Sequence, residues 1–149
     1  MSVEARTIAN ALRLASGCIK DSRELLNSGS RNAAYLAEQS LEQVMRALAT
    51  SEGMHIERHD AHQLDKLLRR FPDEHSEKAT LGGLTWLEAY ATTFRYTTPS
   101  GQIPKTPDAA RLRSAIDAIE ALIDRVAQYF IVDLRAETEP AGRLSPMRG

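Results

Sequence analysis

A chain of 149 residues is about one domain's worth, able to bury roughly 70% of the surface its unfolded form exposes. Hydrophobic residues at 42% and charged residues at 26% exclude wholesale disorder, and only 5% aromatics leave a core of Leu, Ile, Val and Ala, which favours helix-on-helix packing over a β-sandwich. The net charge of −1 excludes a global basic field that would hold nucleic acid, and the single Cys18 excludes an intrachain disulfide framework, in keeping with a reducing cytoplasm.

In the first predicted helix, 3–28, Ile8, Leu12, Ala15, Ile19 and Leu26 repeat at alternating steps of three and four, with Ser22 in the one polar position. Ala11, Leu14, Cys18 and Leu25 widen that stripe. Ser2 reads as its N-cap and Gly29 as the residue just past its end. Ser30 then caps a second helix carrying Ala34, Ala37, Leu41, Val44 and Leu48, which Gly53 stops. Residues 54–59 read as a loop. Asp60 with Gln63 reads as a capping box opening a short helix with Leu64, Leu67 and Leu68 inward, ended by Pro72.

A fourth stripe, Leu84, Leu87, Ala91 and Phe94, follows Gly82 and Gly83. Pro99, Gly101 and Pro104 mark 95–105 as a loop. Thr106 with Pro107 predicts the start of the last helix, where Leu112, Ile116, Ile119, Ile123, Val126 and Phe130 keep the same rhythm. Residues 1–134 are thus expected to form one all-α, up-and-down antiparallel bundle of four main helices plus a short one, and 135–149, which have no periodicity, a flexible tail. At about 1.5 Å per residue the 84–94 helix spans about 16 Å against about 40 Å for the first and last, too short to cover its long neighbours; the 95–105 loop or another subunit must cover the rest, and a homodimer is expected. No run approaches the ~18 apolar residues of a membrane span, so a soluble cytoplasmic protein without a membrane partner is expected.

Few residues stand out as chemistry. His55, His59 and His62 have metal-ligand spacing, but a helix starting between them would splay the ligands, so no metal site and no cofactor are expected. Arg6, Arg13 and Lys20 recur every seven residues and could meet phosphate, although Glu4, Asp21 and Glu24 nearby give the pattern of a solvated, ion-paired face. The Lys66, Arg69 and Arg70 group is open to the same two readings. At the end of the fourth stripe, Arg95 and Tyr96 leave the helix together. They offer a planar fork for phosphate or carboxylate and a stacking face for a base; capping of their own helix and core covering is the alternative.

The stretch 33–47 with Gln39, Glu42, Arg46 and Ala47, then His62, Leu64 and Leu67, then Arg95-Tyr96, resembles the HEPN domain family. Its pattern there is Gln-x-x-Glu-x-x-x-Lys-Ala, followed by His-x-Leu-x-x-Leu and an Arg-Tyr; here Arg46 stands in place of the lysine. The resemblance spans most of 8–132. It implies a helical bundle, often dimeric, working near nucleotides or RNA, frequently beside a minimal nucleotidyltransferase as half of a toxin–antitoxin pair. Carried over residue by residue, it implies a ligand site of Gln39, Glu42, Arg46, His62, Arg95 and Tyr96. Some members are metal-independent RNases with Arg and His four to six residues apart, a spacing that Arg70 and His75 share. In those members the motif lies close to the last helix, and here Pro72 interrupts it. The reading is therefore a non-catalytic module that binds a nucleotide, an RNA phosphate or a nucleotidyltransferase, with no DNA-specific signal. The alternatives are the RNase, with Arg70 and His75 as its catalytic pair, and a purely structural adaptor.

Overall fold

A computed structural model describes residues 2–92 and 96–149. Among them all regular structure is helical: α1 (Val3–Asn27), α2 (Ala33–Ser51), α3 (Leu64–Arg69), α4 (Lys78–Gly82) and α5 (Ala109–Phe130), with 3-10 turns at Arg58–Asp60 and Thr85–Tyr90. No described helix is long and apolar enough to cross a membrane.

The ends of α1 and α2 follow from local chemistry. Ser2 Oγ accepts from the Ala5 N–H at 3.1 Å. At the other end Gly29 takes φ +77°, which lets Ser30 N–H reach the Leu25 carbonyl at 2.8 Å. Gly53 does the same for α2 at φ +72°, with Met54 N–H on the Ala49 carbonyl at 2.9 Å. A left-handed residue costs glycine little and satisfies carbonyls that a helix end would otherwise leave bare. α2 itself opens at Asn32, whose side chain makes no cap bond.

The two helices lie antiparallel and close, because small residues such as Ala11, Ala15, Ala33 and Ala37 face the seam and are buried. Two hydroxyls are satisfied across it: Ser22 Oγ donates to the Ala33 carbonyl at 2.7 Å, and Ser40 Oγ to the Ala15 carbonyl at 2.8 Å. The expected stripes form the core, with Ile8, Leu12, Ile19, Leu41, Val44, Leu48, Ile116, Ile119 and Phe130 all buried. Leu14 departs from expectation and is 58% exposed.

α5 runs antiparallel to α1. Arg23 of α1 meets Asp117 and Glu120 of α5, and Arg13 donates from Nε and Nη2 to the Asp133 carbonyl just past the end of α5. The start of α5 corrects the sequence reading. Asp108, not Thr106, is the N-cap, its carboxylate accepting from the Arg111 N–H at 3.0 Å.

The fourth wall also differs from expectation. Over 84–94 the described residues make the Thr85–Tyr90 3-10 turn in place of an α-helix; the expected short helix is present as α3, and α4 between them is not among the expected elements. Residues 93–95 lie outside the described residues, and with them Phe94 and Arg95. Pro72 and the Gly82–Gly83 pair leave pieces too short to propagate as α-helix. Leu84 and Leu87, three apart, still turn inward. The Asp60–Gln63 capping box is absent; Gln63 N–H bonds the Asp60 carbonyl in a turn instead.

The segment 135–149 lacks regular structure, as read, but it packs against the bundle rather than hanging free. Ala141 and Met147 are buried. Ala141 N–H bonds the Ala5 carbonyl at 3.0 Å, and Gly142 N–H bonds the Phe130 carbonyl at 2.8 Å. The Tyr129 hydroxyl donates to the Pro146 carbonyl at 2.9 Å. Part of the apolar cover that helix lengths assigned to a second subunit therefore comes from the chain's own end.

Candidate functional site

The sequence-derived site residues fall in three places. On α2, Gln39 and Glu42 meet directly: Gln39 Nε2 donates to Glu42 Oε2 at 3.2 Å and to Glu38 Oε1 at 2.9 Å. Glu38 was not among the candidates, yet it is wholly buried, and its Oε2 finds no partner among the described residues. Burial, then hydrogen bonding to and repulsion from Glu42, push its carboxyl up to about 10, with Glu88 adding repulsion and Gln39 opposing. Glu38 therefore holds its proton at neutral pH. The sequence signal was present: Ala34, Leu41 and Met45 sit four before, three after and seven after Glu38, placing it on the buried face.

Beside this patch lies an open groove of about 800 Å³, lined among others by His62, Trp86, Glu88 and Arg111. The Arg111 guanidinium, from the first turn of α5, sits 3.9 Å from the centroid of the Trp86 ring, and Tyr90 meets that ring edge-on at 6.1 Å. Stacking fixes the guanidinium plane and leaves its N–H edges for a planar or tetrahedral anion. Two acids also line the groove: Glu88 Oε1 accepts the Asp65 N–H at 3.1 Å, and Asp65 Oδ2 lies 3.4 Å from Arg69. The groove reaches Thr92, and the exposed Tyr96 follows a few residues on. Trp86 and Arg111 escaped sequence reading because 25 residues separate an aromatic and a cation that only the packed bundle brings together.

Arg46 does not join either cluster. It forms no ion pair with Glu42 among the described residues and lines a different groove, between α1 and α2.

Arg70 and His75 are not brought together. Arg70 Nη2 donates to the His55 carbonyl at 3.3 Å on the exposed side, whereas His75 is buried against Phe71. His75 Nδ1 accepts the Glu77 N–H at 3.1 Å, so Nε2 carries the proton; it lies 3.9 Å from Glu52 Oε2. Burial holds the imidazole below its ordinary value despite the pull of Glu52. Two arginine forks flank it, Arg148 on Glu52 and Arg125 on Glu77. That arrangement buries His75 among ion pairs, with its Nε2 left without a hydrogen-bond partner among the described residues.

The remaining candidates are spent locally. His55 pairs with Glu57, His59 with Asp60, Lys66 with Asp60, and Arg13 holds the end of α5. No group of three His, Cys, Asp or Glu side chains among the described residues is placed to hold a metal ion.

Helical walls thus enclose a groove that holds a stacked tryptophan–arginine pair and an imidazole. The HEPN domain model matches residues 9–129, and the chain belongs to that family. No curated protein and no solved structure matches it.

Proposed function

We propose that this chain is a non-catalytic HEPN module that binds a nucleotide or an RNA phosphate in the Trp86 groove. The observation that carries the reading is the Arg111 guanidinium stacked at 3.9 Å on Trp86 in an open groove. His62 lines the same groove, and a contribution of Arg95 and Tyr96 to binding belongs to the same proposal. A cytoplasmic setting, a homodimer and a nucleotidyltransferase partner in a toxin–antitoxin pair belong to the same proposal, supported by family membership. The separation of Arg70 from His75 supports the absence of catalysis.

The chain has a single tryptophan, so Trp86 fluorescence reports the groove directly. Titration with ATP or AMP should shift or quench that emission saturably. Arg111→Ala should weaken binding by about 10- to 100-fold, the loss of a charge-assisted hydrogen bond of about 1.5–3 kcal/mol. Arg95→Ala with Tyr96→Ala should also lower affinity without moving the melting temperature. Emission indifferent to millimolar nucleotide would overturn the reading. RNA cleavage by the folded protein in EDTA, lost in His75→Ala, would replace it with the RNase.

A further inference from the structure

The seam between α1 and α2 opens at one end into a second groove, of about 510 Å³, to which Arg6, Arg46 and Arg58 contribute. Thr7, Asn10 and Gln43 add uncharged polar groups, and no carboxylate lines it. Among the described residues neither Arg46 nor Arg58 pairs with an acid. In a protein of net charge −1 that also carries 20 acidic residues, three guanidiniums sharing a concavity lined by no carboxylate make a local positive field.

This groove adjoins the Trp86 groove through one short connection. Arg58 belongs to the 3-10 turn Arg58–Asp60, and His62, four residues on, lines the Trp86 groove. Four residues span at most about 14 Å, and the turn shortens that. The one acid on the bridge, Asp60, lies 3.6 Å from Lys66 Nζ. Arg58 and His62, at most about 14 Å apart, thus link the linings of the two grooves, the second of which also carries Asp65 and Glu88.

We infer that the α1–α2 groove is a second anion site that takes the phosphodiester backbone of single-stranded nucleic acid, continuing from the Trp86 groove. The inference rests on the nucleotide reading of that first groove and makes the ligand an oligonucleotide rather than a mononucleotide. A concave groove between two packed helices admits a flexible single strand, whereas a rigid duplex would touch only its rim. Guanidiniums give the backbone affinity without sequence preference, and the indole supplies a π-face for one base.

The full-length protein is titrated with AMP, eight-nucleotide oligouridylate and oligothymidylate, a blunt eight-base-pair RNA duplex, and polyglutamate, each across a range of salt. The variant Arg46→Gln, Arg58→Ala is compared with Arg58→Ala alone, which should show about half its change in salt slope, with far-ultraviolet circular dichroism as the folding control. The double variant should bind either oligomer at least 10-fold more weakly and bind AMP unchanged. Its salt dependence should be shallower by about 1.4 in log–log slope, at about 0.7 for each phosphate that an arginine no longer neutralises. Uridylate and thymidylate results distinguish RNA from DNA as the source of the backbone. Oligomer affinity and slope unchanged in the variant, while Arg111→Ala abolishes AMP binding, would overturn the inference and leave the first groove standing. Arg46- and Arg58-dependent oligomer binding with no response to AMP would uphold this site and overturn the first. Duplex binding equal to the single strand's, or polyglutamate binding as tight, would overturn the inference in favour of a general polyanion or acidic protein surface.

Discussion

Glu38 sets a condition on stability that can be read from its surroundings. Unfolded, its carboxyl ionises near 4.5; in the folded protein burial and Glu42 hold the proton up to about 10. Between those values the native state binds the extra proton, so stability falls as pH rises through the window, by up to about 1.4 kcal/mol per pH unit. Glu38→Gln keeps an oxygen for Gln39 Nε2 and cannot ionise. Its melting temperature should exceed that of the parent protein, with a margin that widens from pH 5 to pH 9; equal margins at both ends would mean that Glu38 is ionised in the native state. Gln39 and Glu42 were legible as neighbours because i and i+3 share a helix face. Their buried companion was overlooked because a charged residue on an apolar stripe reads as an interruption. Arg46, seven residues after Gln39, shares their helix face, yet it lines another groove one turn further along α2.

Helix ends were more legible where glycine decides than where a side chain does. Gly29 and Gly53 both take positive φ where the sequence stops a helix. At the start of α5, Thr106, Pro107 and Asp108 offered competing signals, and the carboxylate won: Asp108 accepts the Arg111 N–H. A carboxylate both accepts that bond and opposes the positive end of the helix dipole. Asp108→Ala should therefore cost about 1 kcal/mol, measured by urea unfolding, while Thr106→Ala should be within about 0.5 kcal/mol of neutral. Because Arg111 lies in the first turn so capped, Asp108→Ala should also weaken nucleotide binding where Thr106→Ala does not. The 84–94 stripe was legible as apolar spacing but not as backbone type. Leu84, Leu87 and Ala91 turn inward from a 3-10 segment as they would from an α-helix, so spacing alone could not separate the two.

Over the whole molecule, the C-terminal segment closes the bundle, and neither of its anchors had a periodic signature. Ala141 and Met147 are isolated apolar residues among Pro, Gly, Ser and Glu, and backbone bonds to Ala5, Phe130 and Glu74 hold the segment that carries them. Arg148 completes the closure by forking onto Glu52 at 2.6 and 2.9 Å, an acid whose side chain is only 7% exposed. If the segment were free, changes in it would be silent. Because it is packed, Met147→Ala should cost about 1–3 kcal/mol, below a fully caged core methionine because a chain end can settle. Arg148→Ala has a more particular signature. It leaves Glu52 buried without its fork, 3.9 Å from His75 Nε2, and removes a positive charge that opposes protonation of that imidazole. His75 in the variant should then take up a proton at higher pH than in the parent and become the substitute partner of Glu52. The loss in melting temperature should accordingly be several degrees at pH 8 and shrink as pH falls towards 5.5. A loss independent of pH would separate His75 from Glu52, and no loss at either pH would detach the C-terminal segment from the bundle.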